Sequence, residues 1–86
     1  MTETITAAAF QIDGLALSLP QPAGHGEVLA LIVAAFGEPA PHHVQGFLTS
    51  VGRFVTRVEA MKIVHRAGQP FREPPRGHEL FSEDLW

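Results

Sequence analysis

Cysteine is absent from this 86-residue chain. That removes disulfides, thiolate metal ligands and thiol nucleophiles together, and a reducing cytoplasm is the compartment that fits. The opening Met1-Thr2-Glu3-Thr4 has no basic residue, so a signal peptide is not expected. Long apolar runs are missing too. The longest, Val28 to Phe36, falls far short of the ~20 residues needed to cross a bilayer, and no membrane association is expected. Positive charge is scarce, with six Lys and Arg against nine Asp and Glu and a net charge of −3. This argues against general nucleic-acid binding, which draws its affinity from neutralised phosphates. Catalytic motifs are lacking as well: Thr49 and Ser50 stand in a turn without a nucleophile elbow, and Glu83-Asp84 are adjacent carboxylates in a tail.

The few positive charges are unevenly placed. Arg53, Arg57, Lys62, Arg66, Arg72 and Arg76 all lie in the second half, whereas residues 1–52 contain only the acids Glu3, Asp13, Glu27 and Glu38. The split suits either a solvated helix face with a basic tail or a local anion site on an acidic protein. Five histidines raise the question of a metal. His42 and His43 are adjacent and would point to opposite faces of a strand, while His25, His65 and His78 are scattered. No spacing matches a zinc motif, so no metal site and no cofactor are expected.

At this length the chain is one domain, near the size where an isolated core is marginal and partners are expected. Asp13-Gly14 separates two apolar runs and favours a type I′ hairpin between strands Thr4–Ile12 and Leu15–Leu19. Ala7-Ala8-Ala9 also suits a helix. The prolines and glycines of "PQPAGHG" then break regular structure. A helix is predicted from His25 or Gly26 to Phe36, stopped by Gly37 with Pro39 beyond. Its section "VLALIVAAF" has no polar face, and a helix apolar all round must be covered on every side. A subunit interface is the economical cover, so self-association is expected. After the loop "GEPAPHHVQ", short strands Gly46–Thr49 and Arg53–Val55 flank Ser50-Val51-Gly52. Thr56 and Glu59 form a capping box that opens an amphipathic helix. There Ala60, Ile63, Val64 and Ala67 share one face, beside Met61. Glu59, Lys62 and Arg66 share the other, and Gly68 ends the helix. The tail begins irregularly at Pro70, Pro74 and Pro75 but finishes on Leu80, Phe81, Leu85 and Trp86. Those side chains are too apolar for a disordered end and should dock on the body or on a second subunit. The fold class expected is α+β.

The stretch "QGFLTSVGRFVTRVEAMKIVHRAGQ" with the terminal "LFSEDLW" resembles a group of small phage and prophage proteins, the Thoeris anti-defence sponges. The core G-F-x-T-S-x-G-R-F-V-x-R-x-E-A carries the likeness, and "AAFQIDGLALSLPQPAGHGEVL" extends it over most of the chain. The resemblance implies a non-enzymatic protein that binds a cyclic ADP-ribose signal, or a cyclic oligonucleotide, without cleaving it. It also implies dimers or hexamers with ligand at subunit junctions. Members carry an arginine before the histidine that opens the first helix, where this chain has Gly24 before His25.

A cyclic nucleotide needs cations for its phosphates, a flat apolar face for its base and polar groups for its riboses. Arg72 and Arg76 precede the anchored terminus and can close over a ligand, while Arg53 and Arg57 flank the hairpin–helix junction capped by Thr56. Phe47 and Phe54 suit either a stacking face or plain core packing. Arg53 suits either a phosphate or a structural acceptor. Gly24-His25-Gly26 can present bare amides to a phosphate, although Glu27 in the first turn repels one. The candidate ligand-binding set is therefore His25, Phe47, Arg53, Thr56, Arg72 and Arg76. Two other functions remain open: a protein-interaction module acting on a host factor, and a nucleic-acid-binding accessory protein. An enzyme acting on the same nucleotide is disfavoured because no general base stands out.

Overall fold

A computed structural model describes residues 2–37 and 43–86; the expected loop positions Pro39 and His42 lie outside the described residues. The chain forms strand β1 (Ile5–Ile12), strand β2 (Leu15–Pro20) and helix α1 (His25–Phe36). Strands β3 (His43–Thr49) and β4 (Phe54–Thr56), helix α2 (Arg57–Ala67) and the short helix α3 (Ser82–Leu85) follow. This is the expected α+β class. The four strands make one antiparallel sheet in the order β2-β1-β3-β4.

Asp13 and Gly14 both take positive φ, 48° and 80°, as a tight turn between twisted strands requires. The three alanines are therefore strand: their neighbours on both sides supply the ladder, and pairing outweighs local helix preference. Strand β3 begins three residues before the expected Gly46, because His43, Val44 and Gln45 pair with Ile12, Gln11 and Phe10. Sequence pattern alone carries no sign of that long-range partner. Strand β4 likewise starts one residue later than expected, at Phe54.

Register sorts the side chains onto two faces. Ala8, Phe47 and Val55 are cross-strand neighbours, all fully buried, and they face the core with Phe10. Val28 and Ile32 of α1, together with Ala60, Met61, Ile63 and Val64 of α2, cover them from the same side. A register irregularity between Ile5 and Ala7 turns Ile5 toward this core as well. The side-chain amide of Gln69 then takes both backbone groups of Ile5, accepting from its N–H at 2.9 Å and donating to its carbonyl at 2.8 Å. Helix α2 is capped as expected: Thr56 Oγ1 accepts from Glu59 N at 3.2 Å, and the Glu59 carboxylate accepts from Thr56 N at 2.8 Å.

Within a single chain, helix α1 is covered on one side. Only Val28 and Ile32 are fully buried, while Leu31 and Phe36 remain 47% and 62% exposed. On the sheet's other face, Gly46 leaves room for the Phe54 ring. A Cβ at Gly46 would stand 2.6 Å from Phe54 Cζ and 2.1 Å from the Val55 carbonyl oxygen. The ring can turn aside, but the carbonyl belongs to the ladder and cannot. Gly46→Ala is therefore expected to destabilise the fold by about 2 kcal/mol or more, read as a fall in urea midpoint at unchanged m value.

Candidate functional site

A cleft of about 310 Å³ opens where the start of α1 meets the end of the chain. One wall is Pro22 and the stretch Gly24 to Glu27; the other is Phe81, Ser82, Glu83 and Trp86. The tail reaches this position through specific anchors. Leu80 is fully buried in the core, and its N–H donates to the Arg57 carbonyl at 3.1 Å. Asp84 Oδ2 accepts from Phe81 N at 2.9 Å and so starts α3. Trp86 Nε1 donates to the Ala23 carbonyl at 3.0 Å, with its ring edge-on to Phe47 at 6.3 Å. The expected docking of the terminal apolar residues on the body is thus present within a single chain.

His25 closes the floor of the cleft. Its Nε2–H donates to the Gly46 carbonyl at 2.7 Å, which leaves the Nδ1 lone pair facing Ser82 Oγ at 3.4 Å. The backbone N–H of His25 also donates to Ser82 Oγ, again at 3.4 Å. The ring stands edge-on to Phe47 at 4.9 Å and to Phe10 at 5.7 Å. Burial pushes the His25 pKa below its ordinary value, against the opposing pull of the Gly46 carbonyl. A neutral imidazole with one nitrogen on a carbonyl and the other on a hydroxyl fastens α1 to β3 and α3. The Ser82–His25 separation is long for hydroxyl activation, and Ser82 is itself buried.

Beside the cleft, two guanidinium groups lie over the Phe81 ring, Arg57 at 4.6 Å and Arg76 at 5.1 Å from its centre. Arg57 is half-buried, and this burial lowers its pKa. It donates to the Leu80 carbonyl at 2.7 Å and to Gln45 Oε1, a structural role joining α2, β3 and the tail. Arg76 Nη2 donates to Glu83 Oε1 at 2.7 Å and stands 3.8 Å from Asp84 Oδ1. Asp84 Oδ1 is buried without a hydrogen-bond partner. Since Arg76 and Glu83 are both more than half exposed, their bond adds little stability and exchanges readily. Glu27 accepts from Gly24 N at 3.0 Å, so part of the helix-start amide set is already engaged.

Of the sequence-predicted residues, His25 lines the cleft and Arg76 borders it through Phe81 and Glu83. Arg72 lies nearby, its Nε donating to the Glu83 carbonyl at 3.3 Å. Phe47 is fully buried in the core. Thr56 caps α2, and Arg53 makes a two-pronged contact with Glu3 at 2.7 and 2.9 Å. That contact, above all its hydrogen bonds, holds the Glu3 pKa down at about 2. Residues 53 and 56 therefore stand apart from the cleft. The candidate ligand-binding set leaves out Phe81, Ser82 and Arg57, although Arg57 is expected beside Arg53 at the hairpin–helix junction. The apolar "LFSEDLW" signalled docking but not which of its side chains would face outward. Among the described residues, no group of three or more histidines and carboxylates is placed to hold a metal ion. Nor is any helix there long and apolar enough to cross a membrane.

One antiparallel sheet, covered on one face by two helices and a returning tail with a cleft at their junction, defines a small α+β protein with a ligand-sized recess. The chain belongs to the phage T4 y16D protein family, whose family model matches residues 4–86. No curated protein and no solved structure matches it.

The state of His25 has a consequence for pH. A histidine whose pKa is lower folded than unfolded binds more protons in the unfolded chain, so stability falls as pH drops through ~6.5. Urea unfolding between pH 8 and 5.5 is expected to show this loss, and His25→Gln is expected to flatten it while lowering stability at pH 8.

Proposed function

We propose that this phage-family chain is a non-enzymatic binding protein that sequesters a cyclic nucleotide signal of the glycocyclic ADP-ribose kind, or a cyclic oligonucleotide, and releases it unchanged. The observation that carries the reading is the cleft that sets Phe81 and Trp86 beside an arginine with an exchangeable counter-ion. The base stacks on the aromatic wall, a ribose diol donates to the Glu27 or Glu83 carboxylate, and a phosphate takes Arg76 in place of Glu83. Arg72, whose Nε donates to the Glu83 carbonyl, closes from the rim. Phe47 supports Trp86 and His25 from beneath instead of stacking on ligand. Non-catalytic binding is supported by the engagement of both His25 nitrogens and the burial of Ser82. Together with the resemblance to Thoeris anti-defence proteins, this supports an anti-defence role in the host cytoplasm.

A cleft of about 310 Å³ is at the small end of ligand sites, which run from ~300 to ~1,000 Å³. One chain therefore holds part of a cyclic dinucleotide, and a second copy completes the enclosure. The outward apolar side chains Leu29, Leu31 and Phe36 support such a homo-oligomer. The same side chains favour the second reading, a module that binds a host protein.

Calorimetry against cyclic ADP-ribose isomers and cyclic di- and trinucleotides tests the first reading, with chromatography of the ligand after heat release. One member is expected to bind and to be recovered intact. Arg76→Ala and Phe81→Ala are each expected to weaken binding about tenfold or more. Recovery of an altered ligand makes the protein an enzyme; no heat with any member shifts the reading to the host-protein module.

Light scattering at micromolar concentration tests the assembly. The chain is expected to exceed its 9.3 kDa monomer mass, and Leu31→Glu is expected to dissociate it. A clean monomer overturns the oligomer.

A further inference from the structure

On a different part of the surface from the cleft, Arg53, Glu59, Lys62, Ile63 and Arg66 line a groove of about 210 Å³. It shares no lining residue with the cleft. Lys62 and Arg66 are four apart on α2 and so lie one turn apart on the same side. Like charges at that spacing repel, and among the described residues neither side chain forms an ion pair or hydrogen bond. Arg66, in the last turn, gains from the helix dipole; Lys62, mid-helix, has no such compensation. Arg53 adds a third cation from the turn before β4.

The acids nearby are already committed. Glu59 caps α2 through Thr56 N, and Glu3 holds Arg53. Both carboxylates sit below their ordinary pKa range, Glu3 mainly through its bond to Arg53 and Glu59 mainly through its bond to Thr56. Arg53, Lys62 and Arg66 thus outnumber the two carboxylates beside them, Glu3 and Glu59, and the balance of charge at the groove is positive. An acidic protein that keeps two unpaired cations together over an apolar floor has a surface prepared for an anion.

We propose that the groove formed by Arg53, Lys62 and Arg66 over Ile63 is a second anion site that takes a phosphate group. Lys62 and Arg66 supply the unpaired charge, while Arg53 supplies a planar donor fork that can turn from Glu3 to the phosphate. The phosphate belongs either to a small ligand or to a phosphodiester chain, and the chemistry of recognition is shared.

The test is an NMR titration of the isotope-labelled full chain with inorganic pyrophosphate and, separately, with a short mixed-sequence single-stranded DNA. For at least one probe the largest shifts are expected at Arg53, Lys62, Ile63 and Arg66. The double variant Lys62→Glu/Arg66→Glu is expected to weaken that binding by more than about tenfold. The milder Lys62→Gln/Arg66→Gln serves if charge reversal disturbs the helix. Equal affinity for both probes points to a small phosphate ligand. Tighter, salt-dependent binding of DNA points to a phosphodiester chain. Shifts confined to Gly24–Glu27 and Ser82–Trp86, no shifts at all, or unchanged affinity in the double variants each overturn the proposal. The first of those outcomes still leaves the cleft reading standing, and shifts on α2 with a silent cleft do the reverse.

Discussion

The fold depends on the complete burial of Phe47. The ring lies in the middle of the sheet, flanked by Ala8 and Val55 on neighbouring strands, all three withdrawn from water. Removing such a side chain from solvent is worth roughly 1.5–3 kcal/mol, and sheet neighbours alone leave one side of it open. His25 and Trp86 close that side, both edge-on to the ring. The first residue of α1 and the end of the tail are therefore held at one point by one apolar side chain, and the cleft opens between them.

Local structure was legible wherever neighbours in sequence determine it. Asp13-Gly14 requires positive φ at both positions and marks the hairpin; Thr56 and Glu59 satisfy each other's backbone groups, so the start of α2 is visible in four letters. Gly37 and Gly68 mark the helix ends. The early start of β3 was not legible, because its first residues are strand only through their pairing with Phe10 to Ile12. The pair of hydrogen bonds between Gln69 and Ile5 was equally hidden: a glutamine after a helix carries no sign that it substitutes for a strand. The apolar character of α1 was plain, but its orientation was not, since no polar stripe distinguishes the covered side from the outward one.

Charge was legible in its distribution and not in its use. Arg57 reads as one more surface cation, yet it joins a carbonyl of the tail to a glutamine of β3. Arg53, Arg72 and Arg76 each have acidic neighbours, and that of Arg53 is distant in sequence, at Glu3. Lys62 and Arg66, which the pattern placed on an ordinary solvated face, are the cations left unspent. Which arginines are structural depends on where the tail returns, and the tail's path is fixed by Leu80 and Trp86.

The hydroxyl of Ser82 meets the N–H of His25 across 57 residues of chain. Neither wall of the cleft exists as a local motif, and no fragment that lacks either segment contains it. Occupancy and global folding therefore draw on the same free energy: a molecule seated there holds the unfolded population down by mass action across the whole domain. Conversely, a weakened core far from the cleft, at Ile5 or Val64, lowers the fraction of chains competent to bind without touching a contact residue. In such a chain, affinity measured at the recess reports on the integrity of the entire sheet.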